Sequence, residues 1–454
     1  MKLPASFRDP SGFLFSRNHQ LYRQVNPVYG DQYDLLMSSG LYNRLVESKL
    51  LVPHREVDLP PEDDHPEFHR VLAPEQIPFI SYPYEWCFSQ LKEAALTTLE
   101  IQTRALEFGM TLKDSSAYNI QFKEGSPLLI DTLSFEEYIE GEPWVAYRQF
   151  CQHFLAPLSL MVYRDIRLSQ LLRIHIDGIP LDLTKSLLPL TTLLRPSLWV
   201  HINLHAKSQK YFAGKQVPTK RHVSRTGLLG MVENLQAIVN RLKWKGDSTE
   251  WADYYDETNY SSVALEAKKR LVGEFLDGIG PGMAWDLGAN TGLFARLAAE
   301  RNHQTVCFDI DPWAVENNYL KSVKRGQTGI LPLLLDLTNP SPGIGWGNQE
   351  RTSLIERGPA DTVLALALIH HLAISNNLPF AHISAFLGQI CQHLIIEFVP
   401  KTDSQVKRLL STREDIFPDY TQQGFEREFR KTFTIEASAP IAESERVLYL
   451  MKKE

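Results

Sequence analysis

Two stretches of the chain bring together residue types able to bind or transform a ligand. The first is Trp285-Asp286-Leu287-Gly288-Ala289-Asn290-Thr291-Gly292, an apolar run that leads straight into a glycine turn. Glycines there let the backbone turn tightly and let a ligand lie against it with no Cβ in the way. The next apolar run, VCFDID, brings Asp309 to its carboxyl end, 17 residues after Gly292. A carboxylate at that place can accept hydrogen bonds from both hydroxyls of a ribose. Asp311 precedes Pro312 and the helical text AVENNYL, so it reads as a helix N-cap instead. A third run, ILPLLLD, ends in Asp336, and a fourth, Asp361 to Leu368, delivers Ile369-His370-His371. A histidine at that edge can take a proton from an attacking hydroxyl or amine. Glu397 and Lys401, at and after the fifth run in IIEFVPKTD, are weaker candidates.

The second stretch is Lys113-Asp114-Ser115-Ser116-Ala117-Tyr118-Asn119, followed by Leu129-Ile130-Asp131. In the plainest reading, Asp114 and Asn119 organise a turn in a recognition domain. His201 and His205 are four residues apart and would share a helix face, but no third ligand stands near them, so no metal site is expected.

Regular elements must hold these residues in place. MAWDL, TVCFDI, ILPLLLDL, DTVLALAL and HLIIEFV read as strands apolar on both faces, with helical segments such as GLFARLAAER and PWAVENNYLKSV between them. That alternation predicts a parallel sheet covered by helices on both sides. Upstream, Gly12 to about Val25 reads as a hairpin turning at Arg17-Asn18-His19, and helices are expected over Gln32–Leu51 and Glu85–Phe108. LPPEDDHP, around Asp58–Pro66, reads as an acidic loop. From Lys207 to Lys245 the chain turns basic, which suggests an exposed linker and a domain boundary near residue 245.

At 454 residues the chain needs more than one core. A net charge of −7 gives no general pull toward nucleic acid or an anionic membrane. Cys87, Cys151, Cys307 and Cys391 lie far apart, so reduced buried thiols are expected rather than a disulfide framework. The start, MKLPASFRDPSG, lacks the apolar run of a signal peptide, and no apolar stretch approaches a membrane span. A soluble, cytoplasmic protein is expected.

The glycine turn alone leaves dinucleotides and other adenosine ligands open. The G-x-G-x-x-G spacing that cradles a pyrophosphate is absent. Instead, D-L-G-A-N-T-G followed by D-x-D resembles motifs I and II of class I S-adenosylmethionine (SAM) dependent methyltransferases. The resemblance implies that Asp286, Gly288, Asn290 and Gly292 line the methionine part of SAM. It further implies that Asp309 holds the ribose and that Asp336 or a neighbour contacts the adenine. Tyr260 and Lys268 would lie where such enzymes close over the cofactor. Asn339-Pro340-Ser341-Pro342 has some likeness to the N-P-P-Y tetrapeptide of amino-directed enzymes, but it follows the third strand rather than the fourth.

Over nearly its whole length, including SFRDPSG, YPYEWCFSQLK, IDTLSF and Ser411–Tyr420, the chain resembles a bacterial methyltransferase group related to rhizobial host-specificity nodulation proteins. That implies methyl transfer without naming an acceptor. The Asp114–Asp131 stretch resembles the catalytic and metal-binding loops of the protein-kinase and aminoglycoside-phosphotransferase fold, where an Asp orients a hydroxyl and an Asn and a second Asp hold magnesium. Leu112-Lys113 stands where that fold has His-Arg or His-Gly, Thr132-Leu133 follows Asp131 instead of Phe-Gly, and only Arg23 is available for the phosphate-pairing lysine.

The expectation is therefore an α/β chain. A kinase-like α+β domain over 1–245 would present an acceptor or partner, and a Rossmann-like SAM-methyltransferase domain with a mostly parallel sheet would span 246–454. An ATP-dependent phosphotransferase or bifunctional enzyme using Asp114, Asn119 and Asp131 is the second possibility, and a non-catalytic scaffold the third.

Overall fold

The computed structural model describes residues 2–18, 20–59, 67–202, 223–246, 261–411 and 413–454. His205, Tyr260 and the basic residues between Lys207 and Arg221 lie outside them, as does most of the acidic loop. The chain divides into two compact units, Met1–Lys245 with Gly343–Arg351, and Gly246–Pro342 with Thr352–Glu454. No helix among the described residues is long and apolar enough to cross a membrane.

In the N-terminal unit, β1 (Gly12–Arg17) and β2 (Gln20–Val25) pair as a hairpin, with Asn18 in the left-handed region at its turn. With β3 (His54–Glu56) and β4 (Arg70–Pro74) they form an antiparallel sheet of order β1-β2-β4-β3. Helix α1 (Gly30–Ser38) and helix α2 (Leu41–Glu47) lie between β2 and β3. Tyr29, Tyr33, Val25, Leu72 and Leu133 share a buried cluster here. The long helix α3 (Phe88–Glu107) starts where the Gln90 side chain accepts the Cys87 backbone N–H at 3.0 Å. Two small antiparallel two-stranded sheets follow, β5 (Met110–Leu112) with β8 (Phe135–Glu137), and the hairpin of β6 (Ile120–Lys123) with β7 (Ser126–Leu129).

Gly343–Arg351, which sequence alone assigns to the second half, belongs to this first unit. Arg8 Nη2 donates to buried Glu350 at 2.7 Å, and the Arg351 guanidinium lies 4.5 Å from the centre of the Tyr118 ring. A charge pair and a cation–π contact to residues distant in sequence thus draw the segment out of its own unit.

The C-terminal unit is built on one seven-stranded sheet. Its strands are β9 (Met283–Leu287), β10 (Gln304–Asp309), β11 (Ile330–Leu334), β12 (Ala360–Ala365), β13 (Cys391–Phe398), β14 (Phe433–Pro440) and β15 (Val447–Lys453). They lie in the order β11-β10-β9-β12-β13-β15-β14. The first five in that order run parallel, and the last two close the sheet antiparallel. Helices α5 (Ser262–Ile279), α6 (Leu293–Ala299) and α7 (Pro312–Lys324) belong to this unit, following α4 (Arg225–Arg241) of the first. Ala264, Val272, Leu276, Phe294, Leu364 and Ile395 are among the core residues that weld α5 and α6 to the sheet.

The chain winds from β9 outward through β10 to β11, then returns to the other side of β9 for β12 and β13. That reversal opens a crevice at the carboxyl ends of β9 and β12, where open α/β sheets place their ligands. The fourth strand is shorter than its apolar text. It stops at Ala365, because Ala367 takes a positive φ of 52° and its N–H donates to Glu397 Oε2 at 2.9 Å rather than to the ladder.

Candidate cofactor site

Asp286 stands near the carboxyl end of β9, level with Cys307 of β10 on one side and Leu364 of β12 on the other. It is 3% exposed, and its Oδ2 has no hydrogen-bond partner among the described residues. Burial pushes its carboxyl up to about 7; Lys268 opposes that shift and Asp309 adds to it. A buried acceptor left unsatisfied is costly, and a ligand donor is the usual remedy.

The glycine turn begins one residue beyond β9. Gly288 and Ala289 both donate to the Phe308 carbonyl, at 2.8 and 3.0 Å, which ties the turn to β10. Gly288 and Gly292 both have positive φ, 73° and 79°. A Cβ on Gly292 would fall 2.3 Å from Asn318 Oδ1, so no other residue fits there.

Beneath the turn lies Arg296, the lone polar residue of α6 and 8% exposed. Its guanidinium donates to the carbonyls of Thr291 and Gly292 at 2.5 and 2.7 Å, to Asn318 Oδ1 at 2.9 Å and to Gln327 Oε1 at 3.1 Å. Sequence reasoning passed over this clamp, although a single arginine inside an otherwise apolar helix is a readable signal.

Asp309 ends β10 half-buried. One carboxylate oxygen accepts the Asn290 N–H at 2.7 Å and the other the Asp311 N–H at 2.9 Å. Asp309 thus fixes the glycine turn from below, and each oxygen keeps a further lone pair for a ligand hydroxyl. Burial raises its carboxyl to about 6, against those backbone donors. Asp311 caps α7 by accepting the Trp313 N–H at 2.9 Å. Asp336 lies two residues past β11, where its Oδ1 accepts from the backbone and hydroxyl of Thr338 at 2.8 and 2.6 Å.

Across the crevice, His371 N–H donates to the Leu368 carbonyl at 3.0 Å as the chain turns after β12. His370 is wholly buried, and neither ring nitrogen has a hydrogen-bond partner among the described residues. Its ring lies 4.2 Å from that of His371, which is half-buried. Burial holds His370 well below the usual histidine range and His371 at about 4, with Arg446 opposing protonation of both. Both imidazoles are therefore neutral at physiological pH. Lys401 pairs instead with Asp415 at 2.7 Å and the Phe417 carbonyl at 2.7 Å. Asn339–Pro342 follows β11 and leads into the Gly343–Arg351 excursion.

The second constellation is differently arranged. Asp131 pairs with Arg23 at 3.1 Å and accepts from the Ser134 hydroxyl at 2.8 Å, while Arg23 also reaches Asp9 at 3.2 Å. Asp114 Oδ1 accepts from the Ser116 N–H and from Gln149 Nε2, each at 2.8 Å. Asn119 Nδ2 donates to the Ser134 hydroxyl at 3.4 Å. Lys113 donates to the Ser11 hydroxyl at 2.7 Å and lies over the Tyr29 ring. These residues meet and satisfy one another. His201 Nε2 donates to Asn234 Oδ1 at 2.9 Å, and its Nδ1 meets the Tyr147 hydroxyl.

An α/β sheet that reverses direction beside a glycine turn, with acids at successive strand ends, makes the C-terminal unit an open, doubly wound α/β fold. No protein-family model matches the chain. It is, however, 34% identical over an alignment of 470 residues to the nodulation protein NoeA of Rhizobium meliloti (strain 1021), covering 100% of this chain and 96% of that protein. The chain belongs to the NoeA family. Among solved structures it is similar to the N-methyltransferase NodS from Bradyrhizobium japonicum WM9, with 9% identity over 42% of this chain and 98% of that one, at a TM-score of 0.31. It is also similar to the magnesium protoporphyrin IX methyltransferase ChlM from Synechocystis PCC 6803 with bound SAH, with 16% identity over 46% of this chain and 100% of that one, at a TM-score of 0.31.

Proposed function

We propose that this protein is a class I SAM-dependent methyltransferase. The observation that carries the reading is the buried Asp286 carboxyl group, whose Oδ2 has no hydrogen-bond partner among the described residues and which stands beside the glycine turn. SAM fits that setting because it is cationic at sulfur and at its amino group, so it brings donors and positive charge to a site rich in carboxylates. When bound, SAM supplies an activated methyl group; a nucleophile's bond to carbon forms as the sulfur–carbon bond breaks, leaving a neutral thioether.

Asp286, Gly288, Asn290 and Gly292 would receive the methionine part, Asp309 the ribose hydroxyls and Asp336 the adenine edge. His371, the more exposed of the two neutral imidazoles, would accept a hydrogen bond from the acceptor and pass its proton outward, with the His370 ring packed against it at a tilt. Alignment of nucleophile, carbon and sulfur supplies most of the rate. The N-terminal unit would present an acceptor or partner, and the chemical nature of that acceptor is open.

Incubating fractionated cell extracts with methyl-labelled SAM tests the proposal. Label should enter one fraction with the wild type and not with Asp286→Ala. Calorimetry that detects no SAM binding to the wild type overturns the reading.

A further inference from the structure

We propose that Glu397 is a positioning residue for the amino-acid arm of SAM, an inference that rests on the SAM reading above. Three charged side chains meet inside the C-terminal unit, all almost wholly buried: Lys268 on α5, Glu397 near the carboxyl end of β13 and Arg446 just before β15. Glu397 pairs with Lys268 at 2.6 Å through Oε2 and with Arg446 at 3.1 Å through Oε1. Arg446 is shared with Asp403 at 2.8 Å. Buried ion pairs of this kind seldom add net stability over a well-packed apolar core, so a network at this place serves to fix one geometry.

What it fixes is the end of β12. Glu397 Oε2 also accepts the Ala367 N–H at 2.9 Å, and Ala367 carries the positive φ that ends the strand. One residue later the Leu368 side chain lies over the glycine turn, its Cδ1 3.5 Å from where a Cβ on Gly288 would stand. The Leu368 carbonyl then receives the His371 N–H. Glu397 therefore sets the backbone that forms one wall of the crevice. That wall is on the β12 side of β9, whereas Asp309 and Asp336 follow strands on the opposite side. Loosening it should disturb the arm of the ligand that lies across β9 and leave the adenosine half undisturbed.

Two probes separate the halves: SAM itself, and 5′-methylthioadenosine, which has the adenosine and sulfur but no amino-acid arm. Glu397→Gln removes the carboxylate that Lys268 and Arg446 share, a change that can cost the fold. The double variant Glu397→Gln/Arg446→Met removes one charge of each sign and keeps Lys268 facing Asp286. Melting temperature and calorimetric affinity for both probes are measured on the full chain. A folded variant should bind SAM roughly tenfold more weakly, the scale of one hydrogen bond to a charged acceptor. Its affinity for 5′-methylthioadenosine should stay within about twofold of the wild type. Equal weakening of both probes, or of neither, overturns the inference. Failure of the wild type to bind either probe overturns the SAM reading itself, and this inference with it.

Discussion

In the N-terminal unit, Asp131 lies just past β7, giving one carboxylate oxygen to Arg23 and the other to Ser134. In the C-terminal unit, Asp286 lies in β9 and its Oδ2 has no donor among the described residues. Both acids follow apolar strand text, and both neighbour a second acid, Asp114 in one case and Asp309 in the other. Residue type and spacing do not tell the two apart; their partners do. The first pair is consumed in organising turns and a partly buried ion pair, whereas in the second Asp286 keeps an acceptor that none of the described residues fills. An acid that the fold has already satisfied is structural, and one it leaves in want marks where a ligand belongs.

The strongest way to break this contrast is at Asp309. Asp309→Ala removes the group proposed to receive the ribose hydroxyls, together with the acceptor that anchors the Asn290 and Asp311 amides. Two hydrogen bonds to a charged group account for about a hundredfold in affinity. Calorimetry should record SAM binding weakened by at least that factor, and wild-type affinity in the variant would sink the assignment.

A titration sharpens the contrast next. Asp286 and Asp309 are held at about 7 and about 6, above the ordinary carboxyl value, so both are partly protonated in the free protein near neutrality. A cationic ligand prefers them ionised. SAM affinity should therefore climb about tenfold or more between pH 5 and pH 8, and affinity for S-adenosylhomocysteine, whose sulfur is neutral, should climb less. Stability of the ligand-free protein should move the other way. Between the ordinary carboxyl value and about 7 the folded state binds more protons than the unfolded one. These two groups therefore contribute stability at the acid end that is lost as pH rises through about 7. Asp286→Asn should raise the melting temperature at pH 8 while weakening SAM, the trade expected of a site built for a ligand. Parallel pH slopes for the two ligands would remove the charge argument.

Much of the C-terminal unit could be read before its structure, because strands buried on both faces are written as unbroken Val, Ile and Leu runs. MAWDL, VCFD and LIIEF fall within β9, β10 and β13, and Asp311 caps its helix where the following proline suggested. Features set by distant partners were not legible. The end of β12 depends on an amide bonded to Glu397, 30 residues away. The Gly343–Arg351 excursion depends on Arg8 and Tyr118, hundreds of residues upstream, while its own text looks like any glycine-bearing loop. Arg446 reads as a surface charge until Glu397 and Asp403 are seen on either side of it. In the N-terminal unit the spacing of Asp114, Asn119 and Asp131 placed them together, but spacing carries no information on whether Arg23 and Ser134 would claim the acid first.

That last point predicts the smallest effect. Asp131→Asn weakens the pair with Arg23, which keeps Asp9 at 3.2 Å, and preserves an acceptor for Ser134. Arg23 and Asp131 are partly exposed, at 14% and 21%, so solvent screens their interaction and the loss should be about 1 kcal/mol. Chemical denaturation should register that change, and SAM affinity should stay within about twofold of the wild type. If Asp131→Asn instead left stability untouched and altered the binding of a ligand, the acid would belong with Asp286 rather than opposite it. The line between satisfied and unsatisfied carboxylates would then have to be drawn elsewhere in this protein.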